Sequence, residues 1–174
     1  VFKSPYTDWQ ASWPSSGVIA LATKPTREAD GYLYFLNTQT GGLKKVLGGI
    51  PGLNTLVSPD GKKVIYSGSD LGHSLHLWDV SAKTDLILGL DTFAEKCVWT
   101  KDSKAVFCAA SAPLANYPLD SWYQGTVSFD DGLWKIDVIK GSLKQIYDPK
   151  SVAAKNKLAI DGTSLFLDQK EEAL

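Results

Sequence analysis

The sequence predicts an all-β fold, a β-propeller-type array of four-stranded antiparallel blades that is incomplete, at about three and a half blades. Three observations predict it. Hydrophobic residues alternate with the period of strands almost throughout. A polar turn feeding a run of β-formers, fullest at Ser58-Pro59-Asp60-Gly61-Lys62-Lys63-Val64-Ile65-Tyr66, recurs along the chain. The recurrences are evenly spaced, with 44 residues from Trp13 to Val57 and 42 from Val57 to Trp99. A period of about 40–45 residues carrying four strands is that of a propeller blade, whose two apolar faces are buried only by stacking on neighbours.

The elements follow in order. After the turn Pro14-Ser15-Ser16, Gly17 to Thr23 reads as a strand, Lys24 to Asp30 as a polar loop, and Tyr32 to Asn37 as the next strand. The Gly41-Gly42 turn signal precedes Leu43 to Leu47. The second copy runs through Leu53–Val57, Lys63–Ser67, Ser74–Val80 and Asp85–Leu88. The third has Lys96–Trp99, Lys104–Ala109, Gly132–Val138 and Leu143–Tyr147, and a fourth begins at Thr163 to Leu167 with the turn Asp168-Gln169-Lys170-Glu171. The predicted blades are residues 6–50, 51–92, 93–150 and 158–174 of one domain spanning 1–174. From Trp99 to Leu167 is 68 residues, so the third copy holds a long insertion, Ala109 to Asp131. A short helix at Ser151 to Lys157 is the one helical pattern.

Composition excludes several classes. Of the 174 residues, 44% are hydrophobic and 21% charged, which is ordinary for a globular protein and too apolar for disorder. A formal charge of −1, without a basic stripe, argues against nucleic acid as a partner. No apolar run reaches the roughly 20 residues of a membrane helix. The chain starts mid-pattern at Val1 and contains no Met, so it reads as a processed or trimmed piece. An unclosed arc exposes blade faces and strand edges, which predicts self-association.

The segment Ser58 to Tyr66 resembles the repeat motif of the WD-repeat-like, TolB-type propellers, and Trp99-Thr100-Lys101-Asp102-Ser103-Lys104-Ala105-Val106-Phe107 resembles a degenerate copy without the Pro and Gly. Trp78-Asp79 matches the WD dipeptide, but the Gly-His partner of true WD repeats is missing. The resemblance implies a binding platform, or a regulatory cap beside another domain. It transfers no catalytic residue, because the motif residues build the blade.

Two features carry candidate chemistry. A hairpin that pairs Trp99 with Val106 places Cys97 directly opposite Cys108, within disulfide reach; the alternative is a pair of buried free thiols. A disulfide would put the protein outside the cytosol, in the periplasm, at the cell surface or secreted. The insertion mixes rings with acids and amides, the combination a peptide or glycan site uses, so Tyr117, Asp120, Trp122, Tyr123, Asp130 and Asp131 are the ligand-binding candidates. The alternative is that these rings pack the loop onto its own blade.

The catalytic inventory is thin. His73 and His76 are the only histidines, and their i, i+3 spacing does not suit two ligands on one strand face. The acid pairs Asp130-Asp131 and Glu171-Glu172 read as turn and solvated charges, while Asn37, Asp79 and Asp137 read as strand terminators bonding turn amides. No catalytic residue, metal or cofactor is expected. The sequence therefore predicts a non-catalytic module recognising a protein, peptide or glycan through its loops. The alternatives are the propeller portion of an enzyme, either a peptidase's gating domain or a glycan-acting propeller, and a structural envelope protein.

Overall fold

The computed structural model describes residues 8–111, 119–151, 159–168 and 170–171. Three sheets of four antiparallel strands follow one another along the chain. The first holds β1 (Trp9–Ser15), β2 (Val18–Thr23), β3 (Asp30–Asn37) and β4 (Leu43–Pro51). The second holds β5 (Asn54–Val57), β6 (Lys63–Ser67), β7 (Ser74–Asp79) and β8 (Thr84–Asp91). In the third, β9 (Cys97–Trp99) and β10 (Ala105–Ala110) are separated by the insertion from β11 (Gly132–Asp137) and β12 (Ser142–Tyr147). Each sheet is a meander in chain order, as the repeat requires.

The recurring turns are built from the same bonds. In the second blade the Ser58 hydroxyl donates to Asp60 Oδ1 at 2.6 Å, Asp60 Oδ1 accepts from Lys62 N at 3.0 Å, and Ser58 Oγ accepts from Lys63 N at 2.9 Å. In the third, Thr100 donates to Asp102 at 2.7 Å, Asp102 accepts from Lys104 N at 3.1 Å, and Thr100 accepts from Ala105 N at 3.0 Å. The chain reverses through a left-handed residue, Gly61 (φ 70°) in one and Ser103 (φ 59°) in the other. A serine there costs more than glycine. The Ser103 hydroxyl offsets that cost by accepting from Asp60 N at 3.1 Å, which ties the two blades together.

The other turn family is equally regular. Asn37, Asp79 and Asp137 each end the third strand of a blade, and the side-chain oxygen of each accepts from the amides two and three residues on, at 2.8–3.0 Å. The strand-terminating role read from the sequence is thus the one these residues play.

Between the second and third blades lies a core of Ile65, Leu75, Leu77, Leu88, Leu90, Trp99, Val106, Cys108 and Ile136. Between the first and second lies another, with Ala20, Ala22, Leu33, Leu53, Val57, Val64 and Tyr66. Cys97 and Cys108 are directly opposed in the β9–β10 register and form a disulfide, with Cα atoms 4.0 Å apart.

The fold departs from the sequence reading in three places, and a fourth expectation lies outside the described residues. Pro14 and Ser15 belong to β1, so the first turn is the two-residue Ser16-Gly17, and a register shift after Ser12 pairs Ser15 rather than Trp13 with Val18. Trp13 is consequently 68% exposed instead of occupying the inward position of Val57 and Trp99. The outer strands β4 and β8 run on to Pro51 and Asp91, past the expected ends, each through a left-handed glycine, Gly49 and Gly89. Residues 163–167 form no strand among the described residues. The helix expected at 151–157 lies, apart from Ser151, outside the described residues.

Candidate functional site

Antiparallel meanders place all loops between second and third strands, and all connections between blades, at one end of the array. That end gathers the loop after β2, the connection Thr92–Lys96, the insertion of the third blade, and residues 160–162. Within the insertion, Leu119–Tyr123 forms a single-turn helix, α1, which the strand-period reading missed. Leu119 and Phe129 pack on Phe93, all three buried, with Trp122 and Tyr123 half-buried against them. The Trp122 and Phe93 ring centroids are 5.1 Å apart.

Two polar networks hold α1 down. The first centres on Tyr123, whose hydroxyl donates to Glu95 Oε1 and accepts from Asn54 Nδ2 at 3.0 Å; Asn54 Nδ2 also reaches Glu95 Oε1 at 2.8 Å. The Gln10 side chain bonds the same phenol. Tyr123 therefore joins β1, β5 and the connection ahead of β9, three consecutive blades. Burial raises the Tyr123 phenol above its ordinary pKa, and the neighbouring Glu95 carboxylate adds to the shift. Burial also raises Glu95, against the lowering effect of its bonds to Tyr123 and Asn54 and of the Lys96 charge. At the far end, Asp120 Oδ2 accepts from Arg27 N at 3.2 Å, so α1 reaches the first blade.

The second network centres on Lys96, which is 1% exposed. Its ammonium lies 2.6 Å from Asp131 Oδ2, 2.7 Å from Asp161 Oδ1, and 4.4 Å from the centre of the Phe129 ring. Asp161 Oδ2 accepts from Trp122 Nε1 at 3.0 Å and from Phe129 N at 3.2 Å, and Asp131 Oδ2 accepts from Gly162 N at 2.9 Å. Burial raises the Asp131 pKa, although its bond to Lys96 pulls it down.

The structure gathers Asp120, Trp122, Tyr123 and Asp131 around α1 and its anchors, with Asp130 half-buried beside Asp131. Tyr117 lies outside the described residues. Asp131 is not the solvated turn charge its pairing with Asp130 suggests: it is 2% exposed and ion-paired, because the strand that follows draws it under the insertion. Trp122 and Tyr123 spend their polar atoms on Asp161, Glu95 and Asn54, leaving ring surface for any ligand. Sequence reasoning missed Lys96, Glu95, Asn54 and Asp161. The available signal was positional, since Asn54 and Lys96 sit at the same place in the repeat, a polar residue heading a buried first strand.

Two open clefts flank α1 and share Tyr123. One, of about 370 Å³, is lined by Lys24, Pro25, Thr26, Asp120, Tyr123 and Gln124. The other, of about 330 Å³, is lined by Trp122, Tyr123, Gly125, Val127, Ser128, Asp161 and Thr163. Of the two histidines, His76 lies away from α1 and His73 touches the Phe93 ring beneath it. His76 Nδ1 is 2.7 Å from Asp85 Oδ2, and Tyr66 donates to Asp85 Oδ1 at 2.9 Å, a polar cluster between the first two blades. His73 stacks edge-on against Phe93, and burial lowers its pKa. Among the described residues, no group of three or more potential metal ligands converges, and no helix is long and apolar enough to cross a membrane.

Comparison with known proteins supports the architecture. No family model and no curated protein matches the chain. Solved structures do. The β-propeller domain of the Trilobed protease from Pyrococcus furiosus, described as having an open velcro topology, superposes with a TM-score of 0.57 at 11% identity, covering 83% of this chain and 44% of that one. Pyrococcus horikoshii acylaminoacyl peptidase gives 0.55 at 15% identity, over 84% and 26% of the two chains. Oligogalacturonate lyase from Vibrio parahaemolyticus gives 0.53 at 18% identity, over 77% and 37%. These likenesses show the fold, a partial β-propeller. The chain spans less than half the length of each of these three proteins.

Proposed function

We propose that this chain is a non-catalytic recognition module of the TolB-like, WD-repeat-like propeller type, which binds a peptide or glycan segment of its partner across the loop end. The observation that carries the reading is the pair of clefts flanking α1, placed on a rigid scaffold and sharing the face of Tyr123. Rings with fixed orientation, bordered by Gln124, Thr26 and Ser128, supply stacking surface and directional hydrogen bonds together. The buried disulfide supports an extracytoplasmic setting.

Peptide and glycan arrays, followed by titration of the hits, test the reading. Gln124→Ala and Thr26→Ala, which remove polar groups from the cleft rim without touching the buried networks, are expected to weaken a true ligand about five- to tenfold each. Arrays without a hit, or a hit indifferent to both substitutions, would refute it. A second reading, the propeller portion of a peptidase or glycan-acting enzyme, draws support from neighbours that are peptidases and a lyase. A catalytic domain encoded in the same reading frame would favour it.

A further inference from the structure

The described part of residues 159–171 crosses the otherwise open face of the third blade and is anchored at both ends. At the loop end, Asp161 accepts from Lys96 Nζ, Trp122 Nε1 and Phe129 N. At the turn end, Glu171 adopts φ 60° and accepts from Lys101 N at 2.6 Å, while its own amide donates to Asp168 O. This is the geometry of the two earlier turns: Gly61 N donates to Ser58 O, Ser103 N to Thr100 O, and the left-handed Ser103 reaches back to the preceding blade as Glu171 does. Between the anchors, Gly162 lies so close to the sheet that a Cβ on it would stand 2.5 Å from Ala109 Cβ.

We infer that this segment takes the place of the first strand of a fourth blade without pairing as a strand, and that its seating fixes α1, so that the recognition clefts keep their shape only while the segment is docked. The coupling runs through one ion cluster. Lys96 belongs to the second-to-third connection, Asp131 to the end of the insertion, Asp161 to the seated segment, and Trp122 to α1. Asp161 alone links the ammonium to Trp122 Nε1 and Phe129 N, so removing it unties α1 from the cluster while the Lys96–Asp131 pair remains. Lys96 is thus a positioning residue for a surface it does not touch, whereas Asp161 both ties α1 down and lines the second cleft. The functional consequence rests on the clefts being the recognition surface; the mechanical coupling does not.

Hydrogen exchange on the full chain tests the coupling without a ligand. Asp161→Ala removes the acceptor shared by three donors and is expected to speed exchange at the Gln124, Gly125 and Thr126 amides about tenfold, with protection of β5–β8 unchanged as the fold check. Asp161→Asn keeps an oxygen for Trp122 Nε1 and Phe129 N and is expected to fall between. Gly162→Val displaces the segment through Ala109 rather than through α1, and should reproduce the effect of Asp161→Ala. If residues 159–168 lose protection in any variant while the α1 amides keep theirs, the inference is overturned. It is overturned equally if the segment stays protected in all three, since the anchors would not then be what seats it. Retained ligand binding with a freed α1 would instead count against the clefts, leaving the coupling intact.

Discussion

The junction between the first and second blades and the one between the second and third share a topology and differ in what fills them. At the second junction, Trp99 ends the first strand of the incoming blade, is 6% exposed, and donates its indole N–H to Leu56 O at 3.2 Å. The same place at the first junction holds Val57, and beside it lies a cavity of about 100 Å³ lined by Gln10, Ala11, Ser12, Ala20, Ala22, Leu33 and Val57. The second junction also has the Ser103-to-Asp60 tie and backs onto a disulfide; the first has Gly61 at the corresponding turn position, which carries no side chain to make such a tie. One repeat unit can therefore be stacked tightly or loosely by changing a single inward residue and a single turn residue. The tight junction is the one that carries Glu95, Lys96 and the insertion.

Substitutions at matched positions would sharpen this contrast. Trp99→Ala is expected to cost about 3–5 kcal/mol in urea unfolding, the range for emptying a buried large aromatic position. A cost no greater than that of Val57→Ala would break the contrast. Replacing both cysteines with alanine should remove about 3 kcal/mol, from the short loop that the bond closes. The loss should appear as faster exchange in β9 and β10, with β1–β4 unaffected. Val57→Trp should gain about 1 kcal/mol by filling the cavity, and a loss would show that the first junction is loose for another reason. Ser103→Ala should cost about 1 kcal/mol, because it removes the tie to Asp60 N and keeps the left-handed backbone.

The smallest effect concerns pH. Glu95 and Asp131 both have raised pKa values in the folded protein, so their preference for the neutral form adds stability as pH falls from neutral through their folded values. Asp79 and Asp137, held low first by turn amides, and Asp102, held low first by the Thr100 hydroxyl, act in the opposite sense, losing their contribution below the ordinary carboxylate range. His73, whose pKa burial lowers, opposes the two raised acids between about pH 7 and 5, because the unfolded chain takes up that proton first. Thermal scans are expected to show a nearly level melting temperature from about pH 7 to 5 and a fall below about pH 4.

Much of the fold could be read from residues because a propeller blade is specified locally. Strand period, turn chemistry and a constant spacing all report on neighbours in sequence. Cys97 and Cys108 were within reach of that logic, since a hairpin register is arithmetic once one pair is known. The site was not. Lys96, Asp131 and Asp161 come from three separate stretches, and a lone lysine ahead of an apolar strand looks the same whether it is solvated or enclosed. Trp13 shows the limit on the local side: one shift in register after Ser12 turned the position that the repeat equates with Val57 and Trp99 out to solvent. The helix at Leu119–Tyr123 is too short to impose a period of its own, and tertiary packing on Phe93 makes it.

The burial of Lys96 has an analytical consequence. Every other described lysine keeps at least part of its side chain in solvent, so an amine-reactive reagent will modify those lysines in the native protein and leave Lys96 intact. Its appearance in a labelling map would mark the moment the loop end opens. The chain thus contains a chemical clock for its own local unfolding, readable by peptide mass alone and requiring no ligand, dye or engineered probe.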